Sequence, residues 1–299
     1  AHALLKLGLK KGDKVGIVSR NRTEYGTVFF GAAKSGCVLV NVSVLYAPDE
    51  LQYVLNKADV QALIYEDLFA EKIDAVRDRC PKIETYIQIG AAFDDFTAGH
   101  SAAEPDVEID ERDPFSMTYT GGTTGRSKGV MLSHRNLLLN SLQIAGETGF
   151  TAESHYLHAA PMFHLANGAA MFAITSMAGA STIIPGFEPV AALQAIQDNK
   201  IDLALMVPTM INMAVNHPDV GNYDLSSIRH VLFGASPMPE AVLKTALQVI
   251  PNAQFHHVYG QTEAGPVLTA LPPNRMVEEG PLAGKIKSAG VAIPGVEIK

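Results

Sequence analysis

The sequence predicts an α/β protein: two packed α/β subdomains with mainly parallel sheets flanked by helices, followed by the start of a small β-barrel-like subdomain. Three observations carry this expectation. Apolar strand-like runs alternate with segments of helical spacing in the first part of the chain. A second alternating series follows an acidic connection. After Leu271 the texture changes to turn residues between short β-prone pieces with no helical face. The expected boundaries are residues 1–150, 151–272 and 273–299.

Taken in order, residues 1–13 read as an amphipathic helix already in progress, as if cut from a longer chain. "KVGIVS" reads as a strand. Tyr25, Val28, Phe29, Ala32 and Ala33 then share one helical face, and Gly36 supplies the stop. "CVLVNV" is the next strand. Pro48 suits a first helical position, Asp49 and Glu50 favour the positive end of the helix dipole, and Leu51, Val54, Leu55 and Ala58 form its buried face. "QALIYE" follows as a strand, and 94–113, acidic and without periodicity, as a surface connection. "FSMTY" and "GVML" read as strands, with Ser133 capping a helix through "HRNLLLNSL". Between Glu153 and Glu188 no residue is charged, but Pro161, Pro185 and several histidines interrupt the run. It reads as a buried helix followed by a strand rather than a membrane span. Helices after Pro189, Pro208 and Pro239 then alternate with "LALMV", "HVLFG" and "QFHHV", the last helix turning Val242, Leu243, Ala246 and Leu247 inward.

Composition narrows the function. With 47% apolar and 18% charged residues the chain has the balance of a globular protein. A formal charge of −8 argues against a polyanion-coating surface, so phosphate chemistry requires a local site. Cys37 and Cys80 lie far apart in no zinc-like spacing; they read as core residues in a reducing, cytoplasmic setting. His256 and His257, neighbours on a strand, point to opposite faces, and His155 and His158 have helical spacing without a third ligand, so neither pair is assigned to a metal.

The segment "YTGGTTGRSKGV", Tyr119–Val130, is the strongest local signal. Its glycines permit tight turns and close backbone approach to a ligand, its hydroxyls add donors, and Lys128 supplies charge, which together suit an anion nest. A surface linker has a similar composition but does not require a glycine-flanked lysine between buried strands. No register satisfies the Walker A spacing, and the chain holds no G-x-G-x-x-G, H-E-x-x-H or G-x-S-x-G.

This segment resembles the phosphate-binding signature of the adenylate-forming superfamily, which includes acyl-CoA synthetases, luciferases and adenylation domains of peptide synthetases. Three further stretches agree in order: "APMFHLANG" with the Pro-x-x-His-x-x-Gly stretch, "LFGASPMP" with the Gly-Ala loop, and "HVYGQTEAG" with the Tyr-Gly-x-Thr-Glu signature. Gly121 stands where the family commonly has serine, removing one phosphate contact, and Ser127 replaces a common proline, leaving the loop less rigid. The resemblance implies an ATP-dependent acid–thiol ligase, an acyl-CoA synthetase using ATP, Mg²⁺ and CoA on a small carboxylic acid, with no nucleic-acid partner. A carrier-protein-loading enzyme and a non-catalytic nucleotide-binding module are the alternatives.

By the same resemblance Thr120, Gly122, Thr123, Thr124, Gly125 and Lys128 hold the β- and γ-phosphates, and Glu263 ligates Mg²⁺. Thr262 contacts the α-phosphate and Tyr259 offers its face to adenine, with Gly260 and Gln261 beside them. Gly234 and Ala235 let the backbone approach the adenylate. His164 orients the carboxylate or helps to gate it; Phe163, Gly168, Thr209, Met210 and Phe233, with His164 and Gly234, form the substrate pocket. His164, Lys128, Thr262 and Glu263 carry the catalysis. The family's catalytic lysine, on a mobile C-terminal domain, and its ribose-binding aspartate have no counterpart in these residues, so the 299 residues alone are expected to be weakly active or inactive.

Overall fold

The computed structural model describes residues 1–121, 126–276 and 284–299. Two compact units divide the chain, Ala1–Leu137 and Leu138–Lys299. The first opens with α1 (His2–Lys6) and alternates through β1 (Lys14–Val18), α2 (Thr23–Ser35), β2 (Val38–Asn41), α3 (Pro48–Lys57) and β3 (Val60–Tyr65). It continues with α4 (Ala70–Arg77), β4 (Thr85–Gln88), α5 (Ala91–Thr97), β5 (Pro114–Thr120) and β6 (Lys128–Ser133). The stretch read only as an acidic connection contains the C-terminal half of α5, whose single buried residue is Phe93.

Local chemistry fixes these elements. α2 ends because Gly36 adopts the left-handed conformation at φ 72°, which a side chain would resist. Pro48 occupies the first turn of α3, and the Ala47 N–H donates to Glu50 Oε2 at 3.0 Å. Ser133 and Asn136 exchange hydrogen bonds: the Asn136 N–H donates to Ser133 Oγ at 3.2 Å, and the Ser133 N–H to Asn136 Oδ1 at 3.1 Å. That pair starts α6 (His134–Thr148). The strands order as β4-β3-β1-β2-β5-β6, parallel except for β6, which runs antiparallel to β5. Every residue of β2 is buried, as expected for a strand covered on both faces. Within this core, Tyr25 Oη donates to Asn41 Oδ1 at 2.8 Å and Asn41 Nδ2 to Ser116 Oγ at 2.9 Å, tying α2 to two strands.

The second unit contains β7 (His155–His158), α7 (Leu165–Ser176), β8 (Ala180–Ile183), α8 (Pro189–Asn199), β9 (Leu203–Leu205) and α9 (Pro208–Val215). β10 (His230–Phe233), α10 (Glu240–Val249), β11 (Gln254–Gly260), β12 (Val267–Leu271) and β13 (Val291–Ala292) complete it. Its sheet runs β13-β12-β11-β10-β9-β7-β8, parallel from β8 to β11, with β12 and β13 antiparallel. The sequence expectation differs in two places. The uncharged 153–188 run begins with a strand, β7, before its helix; three of the four β7 residues are buried, so the alternation that identifies a half-exposed strand is missing. On α10, Leu243 and Ala246 are buried but Leu247 is 40% exposed, one position off the inward face. Among the described residues no helix is long and apolar enough to cross a membrane.

Candidate functional site

In the first unit the glycine-rich segment lies in sequence between the antiparallel strands β5 and β6. Thr120 and Lys128 face each other in register on the two strands. One residue further in, Tyr119 pairs with Gly129, where an added Cβ would lie 3.0 Å from the Tyr119 ring and 3.1 Å from Met117 Sδ. Only glycine seats there without displacing the ring. Gly122, Thr123, Thr124 and Gly125 lie outside the described residues. On the C-terminal flank the Tyr53 hydroxyl of α3 donates to the Ser127 carbonyl at 3.1 Å, and the Arg126 guanidinium sits 5.2 Å from the Tyr53 ring centroid. This tether steadies the position where the superfamily commonly has proline. Lys128 is exposed, with its charge next to that of Arg126 in the same flank.

In the second unit a cavity of 310 Å³ opens beyond the carboxyl ends of β9, β10 and β11, where open α/β sheets bind ligands. It gathers seven of the residues singled out from sequence: His164, Gly234, Ala235, Tyr259, Gly260, Gln261 and Thr262. Backbone geometry explains the small ones. A Cβ on Gly234 would overlap the Val258 carbonyl, and one on Gly260 would overlap that of Pro266. Ala235 is held at φ 65°, a left-handed conformation costing an alanine roughly 1–2 kcal/mol. A register shift at Tyr259/Gly260 ends regular pairing with β12. The Gln261 N–H then donates to the Pro266 carbonyl at 2.8 Å, closing a loop that presents Thr262 and Glu263 on a short 3₁₀ turn. Tyr259 is 49% exposed, leaving an aromatic face available for stacking. Glu263 is exposed on that turn.

His164 caps α7, its carbonyl accepting the N–H groups of Asn167 and Gly168, each at 3.1 Å. Its ring packs 4.6 Å from that of Phe163, and the neighbouring protein lowers its pKa by desolvation, although the exposed part of the side chain limits that effect. The imidazole is therefore neutral near pH 7 and can present one N–H to an anion. Asn167, not foreseen from sequence, is fully buried and fixes this corner. Its Oδ1 accepts from the Tyr156 hydroxyl at 3.2 Å and lies 2.8 Å from His158 Nδ1, and its Nδ2 donates to the Ala160 carbonyl. The other residues expected in the substrate pocket do not line this cavity. Phe163 and Gly168 are buried beside His164, Thr209 is exposed on the first turn of α9, and Met210 packs against the core. Phe233 is fully buried and stacked on His257, centroids 4.9 Å apart. The apolar walls of the cavity come from residues such as Ile144, Phe150, Leu205, Leu232 and Val267. Ala166 and Ala170, one helical turn apart in α7, were the available signal, since small side chains on one face leave room beneath them.

Several other histidines of this unit make hydrogen bonds within the fold. His155 Nε2 lies 2.8 Å from Thr182 Oγ1, His257 Nδ1 lies 2.8 Å from the Ser288 carbonyl, and His256 Nε2 sits 3.1 Å from His230 Nδ1. Burial pushes His158 and His256 down to about 4, the neighbouring His230 adding to the effect at His256. The unfolded chain therefore binds protons that the native state refuses between their ordinary value of 6.5 and about 4. Stability from this source is full above that window and falls with pH through it, by up to about 3 kcal/mol for each histidine. Urea unfolding of a His256→Gln variant should show a shallower stability loss on acidification than the parent; parallel curves would remove His256 from the account.

Residues 1–299 match the AMP-binding enzyme family. The putative acyl-CoA synthetase YngI of Bacillus subtilis is 32% identical to this chain, covering 100% of it and 59% of the relative. The fatty acid–[acyl-carrier-protein] ligase ScoC of Streptomyces coeruleorubidus is 33% identical, covering 100% of this chain and 57% of the relative. The chain thus spans little more than half the length of these relatives. Among solved structures, the inhibitor-bound N-terminal domain of FACL13 from Mycobacterium tuberculosis superposes with a TM-score of 0.89 at 27% identity, covering 97% of this chain and 72% of that one. The match over the full sequence, the two mainly parallel sheets and the glycine-walled cavity agree: this chain belongs to the AMP-binding enzyme family.

Proposed function

We propose that this chain carries the nucleotide- and acid-binding part of an acid–thiol ligase. A carboxylate oxygen attacks the α-phosphorus of ATP, the bond to pyrophosphate breaks, and acyl-AMP forms. The sulfur of a thiol, that of CoA, then takes the acyl group and AMP leaves, with the thiol proton passing to solvent. The observation that carries this reading is the 310 Å³ cavity, apolar within and ringed at its mouth by Gly234, Ala235 and Tyr259–Thr262.

Two anions must meet in the first step, so charge neutralisation dominates the barrier. Thr120, Lys128 and the backbone of 121–127 take the β- and γ-phosphates, Thr262 takes the α-phosphate, and Tyr259 stacks on adenine. The neutral imidazole of His164 donates a hydrogen bond to the carboxylate. The apolar wall holds the acyl chain away from water. Mg²⁺ supplies charge neutralisation on the phosphates when bound. Glu263 suits it: among the described residues no group of three or more His, Cys, Asp or Glu side chains forms a protein cage, and Mg²⁺ is commonly held by one or two carboxylates plus substrate phosphates.

Pyrophosphate exchange by the full-length protein with a panel of carboxylic acids tests the first step, and absence of exchange with every acid overturns it. The second reading is transfer to a carrier protein, favoured by the likeness to ScoC. Thioester formation assayed with CoA and with a carrier protein side by side separates the two.

A further inference from the structure

The walls of the second-unit cavity carry chemical information about the acid. No charged side chain lines it. Of its polar lining residues, His164, Tyr259 and Gln261 are exposed and Thr262 half-buried at the mouth. Asn167 is the one fully buried, and its amide is already joined to Tyr156, His158 and Ala160. The interior wall, formed by Ile144, Phe150, Leu205, Leu232, Val258 and Val267, is aliphatic and aromatic throughout. A hydroxyl or second carboxylate carried to that depth would lose its water without gaining a partner. The volume sets the other limit. A cavity of about 150 Å³ accommodates benzene, so one of twice that size holds about twelve carbons at most, and fewer once the carboxylate and its rim are seated.

We propose that the acid is a medium-chain aliphatic monocarboxylic acid of about six to ten carbons, with no hydrogen-bonding group beyond its carboxylate. This rests on the ligase reading above. Each methylene that reaches the wall should raise kcat/KM by about fourfold until the cavity is filled, after which further carbons protrude or clash. The wall also discriminates: a ring-hydroxylated aryl acid should react at least tenfold more slowly than octanoate.

The test is pyrophosphate exchange by the full-length protein with straight-chain acids from acetate to palmitate, the ω-hydroxy derivative of octanoate, and a ring-hydroxylated cinnamate. A maximum at medium length, with both hydroxylated acids at least tenfold poorer, is the expected result. An Ala170→Phe variant should move the maximum to shorter acids, and Leu205→Ala should move it to longer ones, so that one variant reports if the other fails to fold. Exchange that is as efficient with palmitate or the hydroxycinnamate as with octanoate overturns this inference and leaves the ligase reading intact. No exchange with any acid overturns both.

Discussion

Gly234→Ala is expected to lower stability by about 3 kcal/mol and to reduce pyrophosphate exchange at least tenfold. The new methyl carbon would overlap the Val258 carbonyl oxygen, a backbone atom of β11 that no rotamer change can move. The strand ends must separate to admit it, and those ends form the cavity mouth. Stability and turnover therefore fall together. Gly186→Ala is the matched comparison, because an added Cβ there meets nothing within 4 Å and the residue is exposed. That variant should stay within about 0.5 kcal/mol of the parent. Urea unfolding and exchange assays on both variants decide the matter. A Gly234→Ala protein as stable as the parent would mean that β10 and β11 do not approach as closely as described.

Lys128→Ala is expected to slow acid activation by roughly 10²–10³ while leaving the fold nearly untouched. Lys128 is exposed at the first position of β6, so its removal opens no void. Its proposed work is electrostatic, on charge that accumulates as pyrophosphate departs. The loss should therefore fall on kcat, with a smaller change in KM for ATP. Steady-state kinetics together with a urea midpoint check this. An unchanged kcat would remove Lys128 from the proposed machinery, and a collapsed midpoint would mean that its role is structural.

Several elements were legible before any coordinates. Pro48, Pro189 and Pro208 each stand in the first turn of a helix, Gly36 ends one, and Ser133 starts another, because capping and proline geometry are local. Of the residues the motifs singled out, Gly234, Gly260 and Thr262 border the cavity of the second unit. The histidine spacing in 155–158 misled because i, i+3 suggests a helix, whereas those residues form a strand whose flanking contacts hide its period. Phe233 and Met210, expected in the substrate pocket, do not line this cavity. Residues beside a functional position point to different faces, so Phe233 turns into the core while Gly234 borders the cavity.

The sequence by itself determined the alternation of strands and helices, the glycine-rich segment ahead of Lys128, and the membership these motifs imply. Those features depend on residues a few positions apart, whose propensities and hydrogen bonds are decided locally. Only the tertiary structure decided that β6 and β12 run against their sheets, that Asn167 joins Tyr156, His158 and Ala160, and that Ile144, Leu205 and Val267 line one cavity. Such contacts bring together residues distant in the chain. Their free energy comes from shared burial and complementary shape, which no local pattern encodes.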